Sequence, residues 1–205
     1  VNDQVGGVPV AVTYCPLCDS SAVYDRRHGD ALREFGISGL LYNSNVLLYD
    51  RQSDTAQESL WSQMRSQAVA GSSVDQRLKK LPLEVTTWAA WQARYPQTTI
   101  LSADTGYPRN YNRTVYRGYF ASPQLMFPVE PLDERLPAKT PVVGVSAGDA
   151  HRAYPLNAFA NEPTRIEQTL ADRFFAVVYD PQSQSVRIEQ AAEGVEWMYA
   201  FWFAW

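Results

Sequence analysis

Two residues in this chain have both the type and the spacing for chemistry: Cys15 and Cys18, in the run Tyr14-Cys15-Pro16-Leu17-Cys18-Asp19. Thiols three positions apart have three physical uses. They can form a disulfide for exchange chemistry, in which one thiolate attacks a partner disulfide and the other thiol resolves the intermediate. They can give two ligands to a soft metal such as copper or zinc. They can also act as a static clasp or as inert packing. Cys15 and Cys18 are therefore the candidate catalytic pair if the site is redox-active, and the candidate metal ligands if it binds metal. Tyr14 and Asp19 flank them as polar groups able to tune such a site.

The metal use asks for further ligands, and a second Cys pair at zinc-finger spacing is missing. His28, His151, Asp19, Asp50, Met64 and Met126 are the remaining candidates, and no spacing singles one out. Other polar groups can serve as binding residues. Tyr42 and Asn43 lie in the turn Tyr42-Asn43-Ser44-Asn45. Asp50 and Arg51 end a predicted strand, where the tripeptide Tyr49-Asp50-Arg51 repeats Tyr24-Asp25-Arg26. Trp61 precedes Ser62-Gln63. Turn chemistry, strand-closing ion pairs and core packing explain the same residues. No phosphate-cradling Gly loop, G-x-S-x-G elbow or H-E-x-x-H is present, so hydrolase and nucleotide readings have no motif behind them.

The elements that must position the pair are mostly strands. Val8 to Tyr14 is β-branched and aromatic and follows the turn signal Gly6-Gly7. A hairpin is predicted over Ala22 to Ser38, turning at His28-Gly29-Asp30. Strands are predicted at Val46 to Asp50, Ser59 to Gln63, Ala68 to Ala70, Thr98 to Leu101, Phe174 to Tyr179 and Ser185 to Glu189. A second hairpin, Val142 to Tyr154, turns at Gly148-Asp149. A helix is expected over Glu84 to Arg94, ended by Tyr95-Pro96, and helical character over Val195 to Trp205. A Cys-Pro-x-Cys after a strand suggests a thioredoxin-like site, but a hairpin follows here instead of the helix whose N-terminus would stabilise the thiolate. The thioredoxin fold is excluded.

Shifted by 165 positions, the chain faces itself: Val5 meets Leu170, Ala11-Val12 meets Ala176-Val177, Tyr14 meets Tyr179, Pro16 meets Pro181 and Ser20 meets Ser185. A second echo joins Trp88-Ala89-Ala90-Trp91 to Trp202-Phe203-Ala204-Trp205. The expectation is one α+β domain over 1-205, predominantly antiparallel, with a pseudo-duplicated architecture and Trp-rich packing helices. Residues 1-101 form the first copy, 102-140 a Tyr/Pro-rich insert, and 141-205 a partial second copy. Cys15 and Cys18 correspond to Asp180 and Ser183, so the turn itself does not need sulfur. Both ends look cut, and a longer native protein is expected.

Bulk composition bounds the class. At 45% hydrophobic and 20% charged the chain can build a sizeable core without staples. A net charge of −4 with no Lys/Arg stripe argues against nucleic acid. No apolar run reaches the ~18 residues of a membrane span. The Tyr-rich stretch 107-120 is a candidate surface for a small molecule or protein, the partner site of a non-catalytic binding module in which the cysteines are only a clasp.

The segments VNDQVGGVPVAVTYCPLCDSSAVYD (1-25), FGISGLLYNSNVLLYDR (35-51), Ser59 to Gln63, TWAAWQARYPQTTIL (87-101) and GVSAGDAHRAYPL (144-156) together resemble the bacterial family called domain of unknown function 3179. The resemblance implies an exported or lipid-anchored protein, periplasmic or extracellular, of unassigned activity. It also implies a His-Glu pair just before the position of Val1, whose His would add a soft-metal ligand beside Cys15 and Cys18.

Overall fold

The computed structural model describes residues 1–205. The chain opens with a meander of β1 (Asn2–Val5), β2 (Val8–Cys15) and β3 (Ser20–Asp25). Short strands β4 (Arg27–His28) and β5 (Ala31–Leu32) then lead into β6 (Phe35–Tyr42), β7 (Asn45–Asp50), β8 (Leu60–Ser62) and β9 (Gln67–Ala70). After β10 (Lys80–Leu81) come two short helices, α1 (Trp88–Arg94) and α2 (Arg117–Ala121). The remainder is again strand: β11 (Pro141–Ala147), β12 (Ala150–Pro155), β13 (Thr164–Leu170), β14 (Arg173–Asp180), β15 (Ser185–Glu189) and β16 (Val195–Phe201).

The main sheet has the order β1-β2-β3-β16-β11-β12, with β10 also paired to β3. It therefore joins strands from both ends of the chain. A four-stranded sheet, β6-β7-β8-β9, and a three-stranded sheet, β13-β14-β15, pack against it, and every named pairing is antiparallel. Strand β16 shows why two cores form. Side chains alternate across a strand, so Val195, Trp197 and Tyr199 join the core shared with β11 and β14, while Met198 joins the core shared with β2, β3 and β7. That second core contains Cys15, Cys18, Tyr24, Leu48 and Trp61.

The two meanders have matching turns. Each begins with a two-residue turn at positive φ, Gly6 and Gly7 in one, Ala171 and Asp172 in the other. Each then makes a four-residue turn that ends at positive φ, on Asp19 and on Gln184. These pairs are the ones the 165-residue shift aligns.

Several expected elements differ. Val195 to Phe201 is a strand rather than a helix, because its full length pairs with β11 from Pro141↔Phe201 to Ala147↔Val195. Only Trp202–Ala204 turns, as one 3-10 segment, so it does not match the α-helix of Trp88–Arg94 and no second Trp-rich helix exists. That helix starts at Trp88 and not Glu84, since the Thr87 hydroxyl caps it by accepting from Ala90 N. Thr98 to Leu101 is not a strand; Ile100 and Leu101 lie exposed. The hairpin expected over Ala22 to Ser38 does turn at Gly29-Asp30 but is only two residues long on each side, β4 pairing β5; β3 pairs with β2, β10 and β16, and β6 pairs with β7. Residues 102–140 are irregular apart from α2, as their Pro- and Tyr-rich composition suggests.

Close approach fixes one glycine. A Cβ on Gly144 of β11 would run into the Trp205 ring. Gly144→Ala is expected to lower stability by about 1–3 kcal/mol, the usual cost of overpacking, read as a lower urea midpoint with an unchanged slope.

Candidate functional site

The cysteine turn is the tip of the β2–β3 hairpin. Cys15 pairs with Ser20 across it, and Cys18 N donates to Cys15 O at 3.2 Å. The turn folds the two thiols to within 3.9 Å of each other, and both are free. They are also deep: Cys15 is 1% and Cys18 0% exposed.

The turn makes the two sulfurs unequal. The neighbouring Cys18 thiol and then the backbone N–H groups of Cys18, Val46 and Leu17 favour ionisation of Cys15. Together they outweigh burial and bring the Cys15 thiol down to about 6. Cys18 moves the other way: donation to Cys15 and burial push its pKa up. Cys15 is thus the more acidic thiol of the pair and Cys18 the less acidic.

The corresponding turn of the second meander provides a comparison inside the molecule. There Asp180 holds the place of Cys15 and accepts from Gln182 N at 2.9 Å and from the Ser183 hydroxyl at 2.6 Å. Those bonds hold its carboxyl below the usual range. Both turns therefore favour an anion at their first position.

A buried polar network fastens the hairpin to the four-stranded sheet. The Gln63 side chain accepts from Ser20 Oγ at 2.6 Å and from Asn45 Nδ2 at 3.0 Å, and donates to Thr13 Oγ1 at 3.0 Å and Ser20 O at 3.2 Å. Asn45 Nδ2 also reaches Cys18 Sγ at 3.5 Å, and Asn45 Oδ1 accepts from Met64 N. Ser44 O accepts from Cys18 Sγ at 3.4 Å. From the other side, Phe201 N donates to Cys18 O and the Tyr119 hydroxyl donates to Leu17 O. Burial, with the neighbouring cysteine pair adding to it, pushes the Tyr119 hydroxyl up to about 12.

The other sequence-derived candidates fall at different places. Tyr14 and Asp19 bracket the turn; the Tyr14 hydroxyl donates to Asp19 Oδ1 at 2.9 Å. Burial and Asp19 raise the Tyr14 pKa. Asn43 exchanges two hydrogen bonds with the backbone of Glu130, and Tyr42 accepts from Arg65. Asp50 is fully buried at the far end of β7, where it binds Arg33 at 2.5 Å and Ser59 N at 2.6 Å. Arg51 faces Glu34 at 3.8 Å on the surface. Trp61 is 0% exposed and packs edge-on to Phe35 and His28, so it has no face open to a ligand. In the stretch 107-120, Tyr107 and Tyr111 are exposed while Tyr119 packs against the cysteine core. The structure thus brings Tyr14, Cys15, Cys18 and Asp19 together with the Asn43 turn, keeps Trp61 as packing in the same core, and places Asp50 and Arg51 at the far end of β7. It holds no group of three or more His, Cys, Asp and Glu placed to bind a metal. The sequence points to Asn45 only as part of the turn Tyr42-Asn43-Ser44-Asn45 and to Gln63 only as a neighbour of Trp61; their one further signal is an amide set at the end of an apolar strand.

Fold and site define a mainly antiparallel β protein with a buried, asymmetric dithiol at a hairpin tip. The chain belongs to the family described as protein of unknown function (DUF3179), whose model matches residues 1–201. No curated protein and no solved structure matches it. No helix is long and apolar enough to cross a membrane.

Two outcomes follow from this geometry. Gln63→Ala removes the acceptor of the Ser20 hydroxyl and one bond each from Asn45 and Thr13 and is expected to cost about 1–3 kcal/mol, measured by urea unfolding. The pH dependence also has a definite sign. The folded Cys15 thiol loses its proton near 6, the unfolded one near ~8.5. Across that interval the unfolded chain binds the extra proton, so stability rises with pH. Above it the trend reverses, because folded Cys18 keeps a proton that the unfolded chain releases. Denaturation midpoints from pH 6 to 10 should show this maximum, and Cys15→Ser should abolish the rising limb.

Proposed function

We propose that the protein is an extracytoplasmic soft-metal binder in which Cys15 and Cys18 hold one thiophilic ion, copper or zinc. The observation that carries this reading is a pair of free thiols 3.9 Å apart, 1% and 0% exposed, whose surroundings favour ionisation of Cys15 with no side-chain cation among the causes. Buried charges are paired or coordinate metals, and a metal ion is the countercharge this site lacks. The spacing agrees: two sulfurs on one tetrahedral zinc, at Zn–S bonds of about 2.3 Å, lie about 3.8 Å apart, against 3.9 Å here. Asn45 donating to Cys18 Sγ is an outer hydrogen bond of the kind that orients thiolate ligands. The extracytoplasmic location rests on the family resemblance. We also read the two meanders as copies of one unit within a single domain, the first carrying sulfur where the second carries Asp180 and Ser183; their matching turns support this.

One observation favours a second reading, thiol–disulfide exchange. A low-pKa Cys15 beside a high-pKa Cys18 is the asymmetry of an attacking and a resolving thiol. Cys15 would attack a partner disulfide and expel one thiolate. Cys18 would then displace the other, leaving a Cys15–Cys18 disulfide and a reduced partner. The burial of both sulfurs works against such an approach.

Metal titration of the reduced protein at pH 7.5 separates the two. The reduced protein should bind one copper(I) or zinc per chain, with release of the thiol protons the pair still carries. Cys15→Ser and Cys18→Ser should each lose stoichiometric binding. No metal uptake, together with reversible oxidation to a disulfide by a glutathione redox buffer, would replace the metal reading with the redox one.

A further inference from the structure

Between β10, the start of β12 and the chain following β8 lies a cavity of about 370 Å3. Its charges are lopsided. Arg65, Arg77 and Lys80 line it against a single carboxylate, Glu196, in a chain whose net charge is −4. Lys80 is held in place by Glu196 at 3.2 Å and is only 13% exposed. Arg65 is oriented by the Tyr42 hydroxyl at 3.1 Å and lies over the Tyr42 ring. His151 adds an imidazole fixed by Ser146 Oγ at 2.9 Å. The remaining wall is apolar: Met64, Ala204 and the Trp205 ring, which His151 meets edge-on.

We propose that this cavity binds a small organic anion, a phosphate or carboxylate group carried on a flat apolar body. Cationic walls around a concave, partly apolar space focus positive potential inward. Guanidinium forks pair with two oxygens of one phosphate or carboxylate. The volume is that of a small-molecule site, with a few polar groups set against an apolar wall. The anionic group meets Arg77, Arg65 and Lys80, and the apolar body lies against Trp205 and Met64. This site is separate from the cysteine pair, and its occupancy does not depend on metal.

Calorimetric titration of the full chain with phenyl phosphate, benzoate and inorganic phosphate tests the assignment. At least one of the two aromatic anions should bind saturably, and inorganic phosphate at least tenfold more weakly. Phenyl phosphate alone would make the natural group a phosphate, benzoate alone a carboxylate. Arg77→Ala and Lys80→Ala, each with the circular dichroism of the parent, should weaken binding about tenfold, as loss of one charged hydrogen bond does. No saturable binding of either aromatic anion, or an affinity unchanged in both variants, would overturn the site. Equal binding of inorganic phosphate would overturn the role of the apolar wall.

Discussion

The side chain of Gln63 is the point on which the rest of the site depends. It sits fully buried between two sheets, and both its oxygen and its nitrogen are satisfied by the cysteine hairpin and by Asn45. A buried amide without partners would be costly, so the network forms as a whole or not at all. Once formed, it fixes the distance between the β2–β3 hairpin and the β7–β8 strands. That distance brings the backbone N–H of Val46 to Cys15 and the carbonyl of Ser44 to Cys18. The acidity of one thiol and the basicity of the other are therefore products of sheet packing as much as of the Cys-x-x-Cys turn.

The two meanders show how much the turn contributes by itself. Both place an anion at the first position and a hydroxyl or thiol donor at the fourth, and both end on a residue at positive φ. The surroundings differ. Asp180 stays partly exposed, where water shares its charge. Cys15 is closed in by Tyr119, Phe201 and the Asn43–Asn45 turn, and the long irregular segment supplies part of that closure through α2. A hairpin tip that is ordinary surface in one meander becomes a sealed chamber in the other.

Strand β16 links the two halves of the molecule. Its alternation sends Tyr199 into one core and Met198 into the other, and its C-terminal end reaches Cys18 through the Phe201 amide. Glu196 on the same strand holds Lys80 at the basic cavity. One strand thus touches the cysteine chamber, the second core and the charged cavity. Its strand character comes from β11: seven consecutive partners override the helical look of a segment ending in Trp202-Phe203-Ala204-Trp205.

By itself the sequence determined the local matters: the strand before Cys15, the hairpin turning at Gly148-Asp149, the irregular stretch over 102–140, and the family. Each is written in neighbouring residues, as a period of two, a turn dipeptide or a motif. Only the tertiary structure decided that Trp61 is core packing with no open face, that Asp50 lies at the far end of its strand from the cysteines, that Asn45 and Gln63 hold the pair, and that Val195 to Phe201 is a strand. It also decided that Arg65, Arg77 and Lys80 share one cavity with His151, far apart as they are along the chain. The physical reason is the same in each case. Burial, pairing register and the convergence of charges are set by which sheets meet, and no local window of residues contains that information.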